Sequence, residues 1–182
     1  TIKLLKKLIL QEKFGNIFTV SVNVFWQRPQ SYYDQAVWRG TKEFDGGALM
    51  NQASHYADLL HWLIGPLDSV NAFLATSGRK IEVEDTAVLN LKWLNGALGT
   101  MSVSMLTFPE NLEGSITVLG EKGTLKIGGK ALNRIENCIF SDKEISTECK
   151  NLDYKIENIY GNGHIPYYKN MIETLQGISS PC

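Results

Sequence analysis

The 182 residues, 43% hydrophobic and 20% charged, suffice for one domain, or a little more, with a real apolar core. Lys and Arg number 18 against 19 Asp and Glu, a formal net charge of -1, so no basic stripe is expected and neither nucleic acid nor an acidic membrane surface is a natural partner. No apolar run approaches the roughly 18–20 residues needed to span a bilayer, and the start, Thr1 to Lys7, has no long apolar core or small-residue cleavage site, so a soluble, unexported protein is expected. Cys138, Cys149 and Cys182 form no C-x-x-C pair and have no His beside them. Neither a metal site nor a disulfide framework is expected from them; a reducing cytoplasm is the simplest compartment, and the thiols are given no catalytic role.

Ile2, Leu5, Leu8 and Ile9 stand at helical spacing among lysines, and Phe14-Gly15-Asn16 ends the pattern. The chain thus opens inside a helix, with residues 1–13 expected to be the residue of a junction with something longer. From Asn16 to Arg28 the period changes to two: Phe18, Val20, Val22, Val24 and Trp26 share one face of a strand, and Thr19, Ser21 and Asn23 the other. The polar, aromatic-rich stretch Gln27 to Gly40 is long for a spacer, and long ordered loops with arginines and aromatics are commonly binding surfaces. Asp45-Gly46-Gly47 opens a single helix running to about Ile64 and closed by Gly65-Pro66. Strands are expected at Leu67–Ser77, Asp85–Trp93, Ala97–Leu106, Glu113–Leu119 and Thr124–Ile127, with hairpin turns at Leu94-Asn95-Gly96 and at Gly120 to Gly123, and a weaker strand at Arg134–Phe140. Cys149 to Asn162 is polar and unassigned; His164 to Gln176 returns to helix, with Tyr168, Met171, Ile172 and Leu175 at helical spacing.

Helices bracketing a strand-rich middle indicate an α+β fold: a large, predominantly antiparallel (mixed) sheet with helices on one face. The other face carries Thr19, Ser21, Asn23, Thr86, Asn90, Thr100, Ser102 and Ser104. It is either a solvated face or a sheet-to-sheet contact between copies of the chain; so wide a face with few charges would be unusual to leave in water.

The chemistry concentrates in Gly46 to Trp62. At about 100° per residue, Leu49, Ala53, Tyr56, Leu60 and Leu63 fall on the core side of a helix, and Asn51, His55, Asp58 and Trp62 on the opposite side. A His between an amide and a carboxylate can act in proton transfer, with the carboxylate fixing its tautomer. The alternative is an exposed polar face with a stacked Trp62. A metal site through His55, Asp58 and His61 is disfavoured, because His61 projects away from the other two. Gly46 and Gly47 before the helix would let backbone approach a ligand and leave N–H groups for an anion, which makes them weak cofactor-binding candidates.

The string Gly46-Gly47-x-x-x-Asn51-x-x-x-His55-x-x-Asp58 resembles the C-terminal half of the Gfo/Idh/MocA family of nicotinamide-dependent sugar and inositol oxidoreductases. The resemblance also covers Glu82-Val83-Glu84-Asp85-Thr86-Ala87 and Gly114 to Thr124. Phe25 to Gln35, Trp38-Arg39-Gly40-Thr41 and Ala48 to Gln52 look most like the branch that oxidises the 3-hydroxyl of UDP-N-acetylglucosaminuronic acid in O-antigen sugar synthesis. The resemblance implies that His55 takes the proton from the sugar hydroxyl and that Asn51, at a position often Asp in the family, contacts substrate or nicotinamide ribose. Arg39, Tyr32, Tyr33 and Gln35 then line the sugar-nucleotide pocket, with an arginine suited to a uronate or diphosphate. It implies NAD as cofactor and a homo-oligomer.

The family's N-terminal Rossmann domain, its G-x-G-x-x-G turn and its Glu-Lys-Pro lysine are not in these residues. The chain is therefore expected to be a single substrate and oligomerisation domain over residues 1–182, inactive alone. Another sugar or inositol dehydrogenase branch, or a non-catalytic oligomerisation module, remain alternatives.

Overall fold

Alternation of Val20, Val22 and Val24, all buried, with half-exposed Thr19, Ser21 and Asn23 makes β1 (Ile17–Phe25) the middle of a seven-stranded sheet. The computed structural model describes residues 1–149, 152–156 and 163–180. The remaining strands are β2 (Leu67–Ala75), β3 (Thr86–Trp93), β4 (Leu98–Ser104), β5 (Glu113–Gly120), β6 (Gly123–Gly128) and β7 (Arg134–Phe140), in the order β2-β3-β4-β1-β5-β6-β7. Only β1 and β4 pair in parallel, Val22 against Met101. The chain leaves β1, crosses the sheet face, lays down β2 and β3 and returns as β4 beside β1, while β5 takes the other edge of β1 antiparallel.

The face of Val20, Val22 and Val24 is covered by α1 (Ile2–Leu10) and α3 (Ser54–Ile64). α1 buries Leu4, Leu5 and Leu8, and α3 buries Tyr56, Leu60 and Leu63 against Trp93, Met101, Ile116 and Val118. Each such side chain, fully buried, contributes about 1.5–3 kcal/mol of transfer free energy. Gly99, on β4, is where Trp93 crosses the strand: a Cβ there would lie 2.6 Å from the indole and 2.4 Å from the Val20 carbonyl oxygen.

The open face carries the expected short polar side chains, interlinked: Ser21 and Thr100 hydroxyls stand 3.2 Å apart, those of Thr86 and Ser104 3.3 Å, and Asn23 donates to Glu113 at 2.9 Å. Register adds exposed Phe73, Val88, Leu98, Leu119 and Ile139 to the same face. Its charges stand at both sides: Lys92 pairs with Asp68 at 3.0 Å on β2 and β3, and on β5 to β7 Lys126 pairs with Glu136 at 2.8 Å and approaches Glu113 at 3.8 Å.

Two sequence expectations change. The single helix from Gly47 to Ile64 is broken: Ala48–Gln52 is a π-helical turn, and α3 begins only after Ala53. The cysteines are not all unpaired. α4 (Lys143–Glu148), capped by Asp142, folds back on β7 and brings Cys149 to Cys138, which form a disulfide with their Cα atoms 6.3 Å apart. No local spacing encodes that pairing, since it depends on the reversal between β7 and α4. The expectation of a reducing compartment loses the premise it stood on; Cys182 lies outside the described residues.

α5 (His164–Leu175) forms where helical spacing predicted it, with no residue buried among the described ones. Among the described residues no helix is long and apolar enough to cross a membrane.

Candidate functional site

Where β1 ends, the chain passes through Pro29 into a short helix, α2 (Gln30–Asp34), inside the stretch expected as a loop. Between this segment, the π-turn and the start of α5 lies a cavity of about 470 Å³. Asn51, Gln52 and His55 form one wall, and Trp26, Arg28 and Tyr32 another; His164 reaches it from the first turn of α5. Among the described residues that line it there is no carboxylate.

Asn51, in the π-turn, and His55, at the start of α3, share the cavity wall, and Asn51 is anchored backwards. The Asn51 side-chain amide donates to Asp45 Oδ1, and Asp45 Oδ2 accepts the Gly40 N–H at 2.6 Å. Asp45, buried and named in the sequence only as a helix opener, is thus the carboxylate that orients the site. Asp58 does not fill that role: it is exposed, lies outside the cavity and makes no hydrogen bond to His55. Its short side chain, one turn along α3, goes to solvent instead of reaching the ring. His55 is exposed, with Nδ1 3.5 Å from the Ser54 hydroxyl.

The acidic segment before β3 explains Gly46 and Gly47. The N–H of Ala48 donates to the Glu84 carbonyl at 3.0 Å and that of Leu49 to Glu84 Oε1 at 2.9 Å. The helix start expected to hold a cofactor anion is therefore occupied by a carboxylate of the chain itself. A Cβ on Gly47 would sit 2.1 Å from Glu84 Oε2, and its φ of 84° belongs to the left-handed region, so the glycine makes room for Glu84. Glu82 accepts the Lys42 N–H at 3.0 Å. Asp85, wholly buried, accepts three N–H groups, from Ser77 at 3.0 Å, Gly78 at 2.8 Å and Arg79 at 2.9 Å. The turn so fixed points Arg79 Nε at the Arg28 carbonyl, 2.6 Å away, and pairs Lys80 with the Gln30 amide at 2.8 Å.

Of the four residues expected to hold substrate, only Tyr32 lines the His55 cavity. Its ring is flanked by two guanidinium groups, Arg39 at 4.2 Å and Arg28 at 5.4 Å from the centroid. Arg39 donates to the Tyr32 carbonyl at 2.9 Å and to Gln35 Oε1 at 3.0 Å. It lies, with Tyr33, on a neighbouring pocket of about 480 Å³, where it holds the α2 segment in shape. Gln35 serves as its partner. The arginine that lines the cavity is Arg28, which also stacks on Trp26 at 5.4 Å and which sequence reasoning passed over. Adjacency to the end of β1 was the available signal.

Tyr33 is buried, and burial, aided by Asp45 and Tyr32 and opposed by Arg28, pushes its hydroxyl up from 10.0 to about 12. A group whose folded value is raised favours the fold fully below its unfolded value and loses that contribution as pH rises through the folded one. Melting temperature should therefore fall between about pH 10 and 12, and Tyr33→Phe should flatten that decline. An equally steep decline in the Phe variant would assign the loss to other groups.

A family model described as the GFO/IDH/MocA C-terminal domain matches residues 2–126. Among solved structures, the chain is similar to the WlbA dehydrogenase of Bordetella pertussis in complex with NADH and UDP-GlcNAcA, with 52% identity and a TM-score of 0.84 over 99% of this chain and 50% of that one. It is 54% identical, with a TM-score of 0.85, to the WlbA dehydrogenase of Chromobacterium violaceum in complex with the same two molecules, over 98% of this chain and 50% of that one. An uncharacterized oxidoreductase of Synechocystis sp. is 31% identical over 108 residues, 52% of this chain and 29% of that protein. The chain spans about half the length of the solved relatives.

Proposed function

The chain belongs to the GFO/IDH/MocA C-terminal domain family, and from that premise we propose that it is the substrate-binding domain of an NAD-dependent dehydrogenase that oxidises the 3-hydroxyl of UDP-N-acetylglucosaminuronate. One observation carries this reading: a cavity in which His55, Asn51 and Arg28 converge. A neutral imidazole there accepts the proton of a sugar hydroxyl. Asn51, tethered by Asp45, offers the substrate a fixed side-chain amide. Arg28 suits the uronate or diphosphate, because a guanidinium binds carboxylate and phosphate in two-pronged fashion.

NAD would supply the hydride acceptor, but the described residues do not fit a dinucleotide. The helix start at Ala48 is closed by Glu84, and Gly120 to Gly123 is a turn between β5 and β6 with no helix behind it. The dinucleotide is assigned to another domain of the enzyme, and the isolated 182 residues are expected to turn over no sugar nucleotide. In the enzyme carrying this chain, NADH formation should follow addition of UDP-N-acetylglucosaminuronate and not of inositol; oxidation of inositol instead would put the chain in another branch.

Arg28→Met is expected to raise KM for the sugar nucleotide by about 10- to 100-fold, the loss of a hydrogen bond to a charged group worth about 1.5–3 kcal/mol, while Arg39→Met should act chiefly on stability. Steady-state kinetics with thermal melts separates the two, and a larger KM effect from Arg39 would return it to the site.

We also assign the open sheet face to self-association. Exposed Phe73, Val88, Leu98, Leu119 and Ile139 support it, set among polar groups already bonded to one another. Sedimentation of the protein as an oligomer that Leu98→Lys splits is expected; a monomer at high concentration would contradict it.

A further inference from the structure

A uronate sugar nucleotide carries two anionic groups, a carboxylate and a diphosphate, and one guanidinium grips one of them. Arg28 is the only arginine among the described residues that line the His55 cavity. His55 does not serve as a second cation, because an imidazole that takes the proton of the sugar hydroxyl has to arrive unprotonated. The remaining basic side chain on the cavity is His164, which enters from the first turn of α5, apart from both the α3 wall and the segment after β1. It is exposed, so its ring is open to a molecule in the cavity, and that ring makes no hydrogen bond or ion pair with a described residue. Nothing described around it cancels a positive charge. The first turn of α5 holds no acidic residue, and Glu173, further along the helix, stands 3.8 Å from Lys169. The polar and charged groups that share the cavity with it are Arg28, Tyr32, Asn51, Gln52 and His55, none of them a carboxylate.

We propose that His164 is a substrate-binding residue whose imidazolium takes one of the two anionic groups of the sugar nucleotide while Arg28 takes the other. The assignment rests on the proposed sugar-nucleotide function and adds to it a dependence of affinity on pH, which Arg28, charged throughout, does not produce. The two histidines of the cavity then work in opposite protonation states, His55 neutral for proton transfer and His164 charged for binding. Affinity falls as pH rises through the range in which histidine side chains lose their proton.

The test uses the enzyme that carries this chain, saturated with NADH so that the sugar nucleotide binds without turnover, and reads affinity by calorimetry at about pH 6 and about pH 8. At the lower pH, His164→Gln should weaken binding of UDP-N-acetylglucosaminuronate about tenfold, the low end for a hydrogen bond to a charged group. At the higher pH, where the parent has lost the same charge, the difference should shrink below about twofold. His164→Lys, charged at both values, should bind at the higher pH at least as well as the parent. UDP, which keeps the diphosphate and lacks the uronate, identifies the anion: a matching loss of affinity in His164→Gln assigns His164 to the diphosphate, and an unchanged affinity assigns it to the carboxylate. The melting temperature should hold in both variants, since the side chain is exposed on a helix with no buried residue among those described. No loss at the lower pH, or an equal loss at both, would overturn the assignment. If the unsubstituted enzyme binds the uronate at neither pH, the proposed function itself fails and takes this assignment with it; if it binds and His164→Gln binds equally well, only this assignment fails.

Discussion

Replacing His55 by Ala in the enzyme that carries this chain should lower kcat by about 10²- to 10⁴-fold, the range set by removing a positioned general base. His55 is exposed and packs into no core, so the same variant should melt within a degree or two of the parent. Stopped-flow measurement of NADH formation beside a thermal melt makes both readings. KM should move little, because the proposed function gives the hold on substrate to Arg28, Asn51 and the cavity walls instead of the imidazole. A variant with unimpaired kcat would remove His55 from the chemistry and leave the exposed polar face with stacked Trp62 as the account of that stripe. Trp62 does stack, with the Lys6 ammonium 4.9 Å from its ring.

The second large effect falls on stability. Asp85→Ala deprives the Ser77, Gly78 and Arg79 N–H groups of their acceptor at a wholly buried position. Three orphaned donors make a loss of about 3 kcal/mol or more, equivalent to roughly 6–12 °C in melting temperature for a chain of this size. Asp85→Asn retains one acceptor oxygen and should lose less. Catalysis should suffer beyond stability, because the turn that Asp85 fixes is the one whose Arg79 holds the Arg28 carbonyl. Below the melting point, Asp85→Asn should therefore raise KM for the sugar nucleotide. A shift of under about 2 °C for Asp85→Ala would show that water replaces the carboxylate at no great cost.

These two effects mark where the sequence was legible. The period-two run of β1 determines which face of the sheet is core, and all three buried valines fall where alternation puts them. His55 and Asn51 stood out because a polar stripe on an otherwise apolar helix is a local pattern. What was hidden depends on contacts distant in the chain. Nothing in Ala48-Leu49-Met50-Asn51-Gln52 distinguishes a π-turn from an α-helix; the difference shows in Glu84 bonding the N–H of Leu49 and Asp45 bonding Asn51. Arg28 and Arg39 are chemically identical and eleven positions apart, and only the path of the chain through α2 turns one to the cavity and the other to the Tyr32 carbonyl. The Gly46-Gly47 pair was legible as a close approach, but the approaching group is Glu84 and not a ligand.

The glutamates and the aspartate of residues 82–85 illustrate the same division. Their recurrence in the string resembling the family was visible, whereas their work was not: each carboxylate accepts backbone N–H groups of a segment that borders the site. The acidic run is scaffold: its carboxylates are spent on backbone N–H groups, and none of them lines the His55 cavity.

On the proposed function, it is C3 of a UDP-linked N-acetylated uronate that gives up hydride to NAD as its hydroxyl loses a proton. Substrate carrying deuterium at C3, given to the enzyme with NAD, tests it most directly. The label should appear in the reduced nicotinamide, with a 3-keto sugar as product; unlabelled NADH, or none at all, would contradict it.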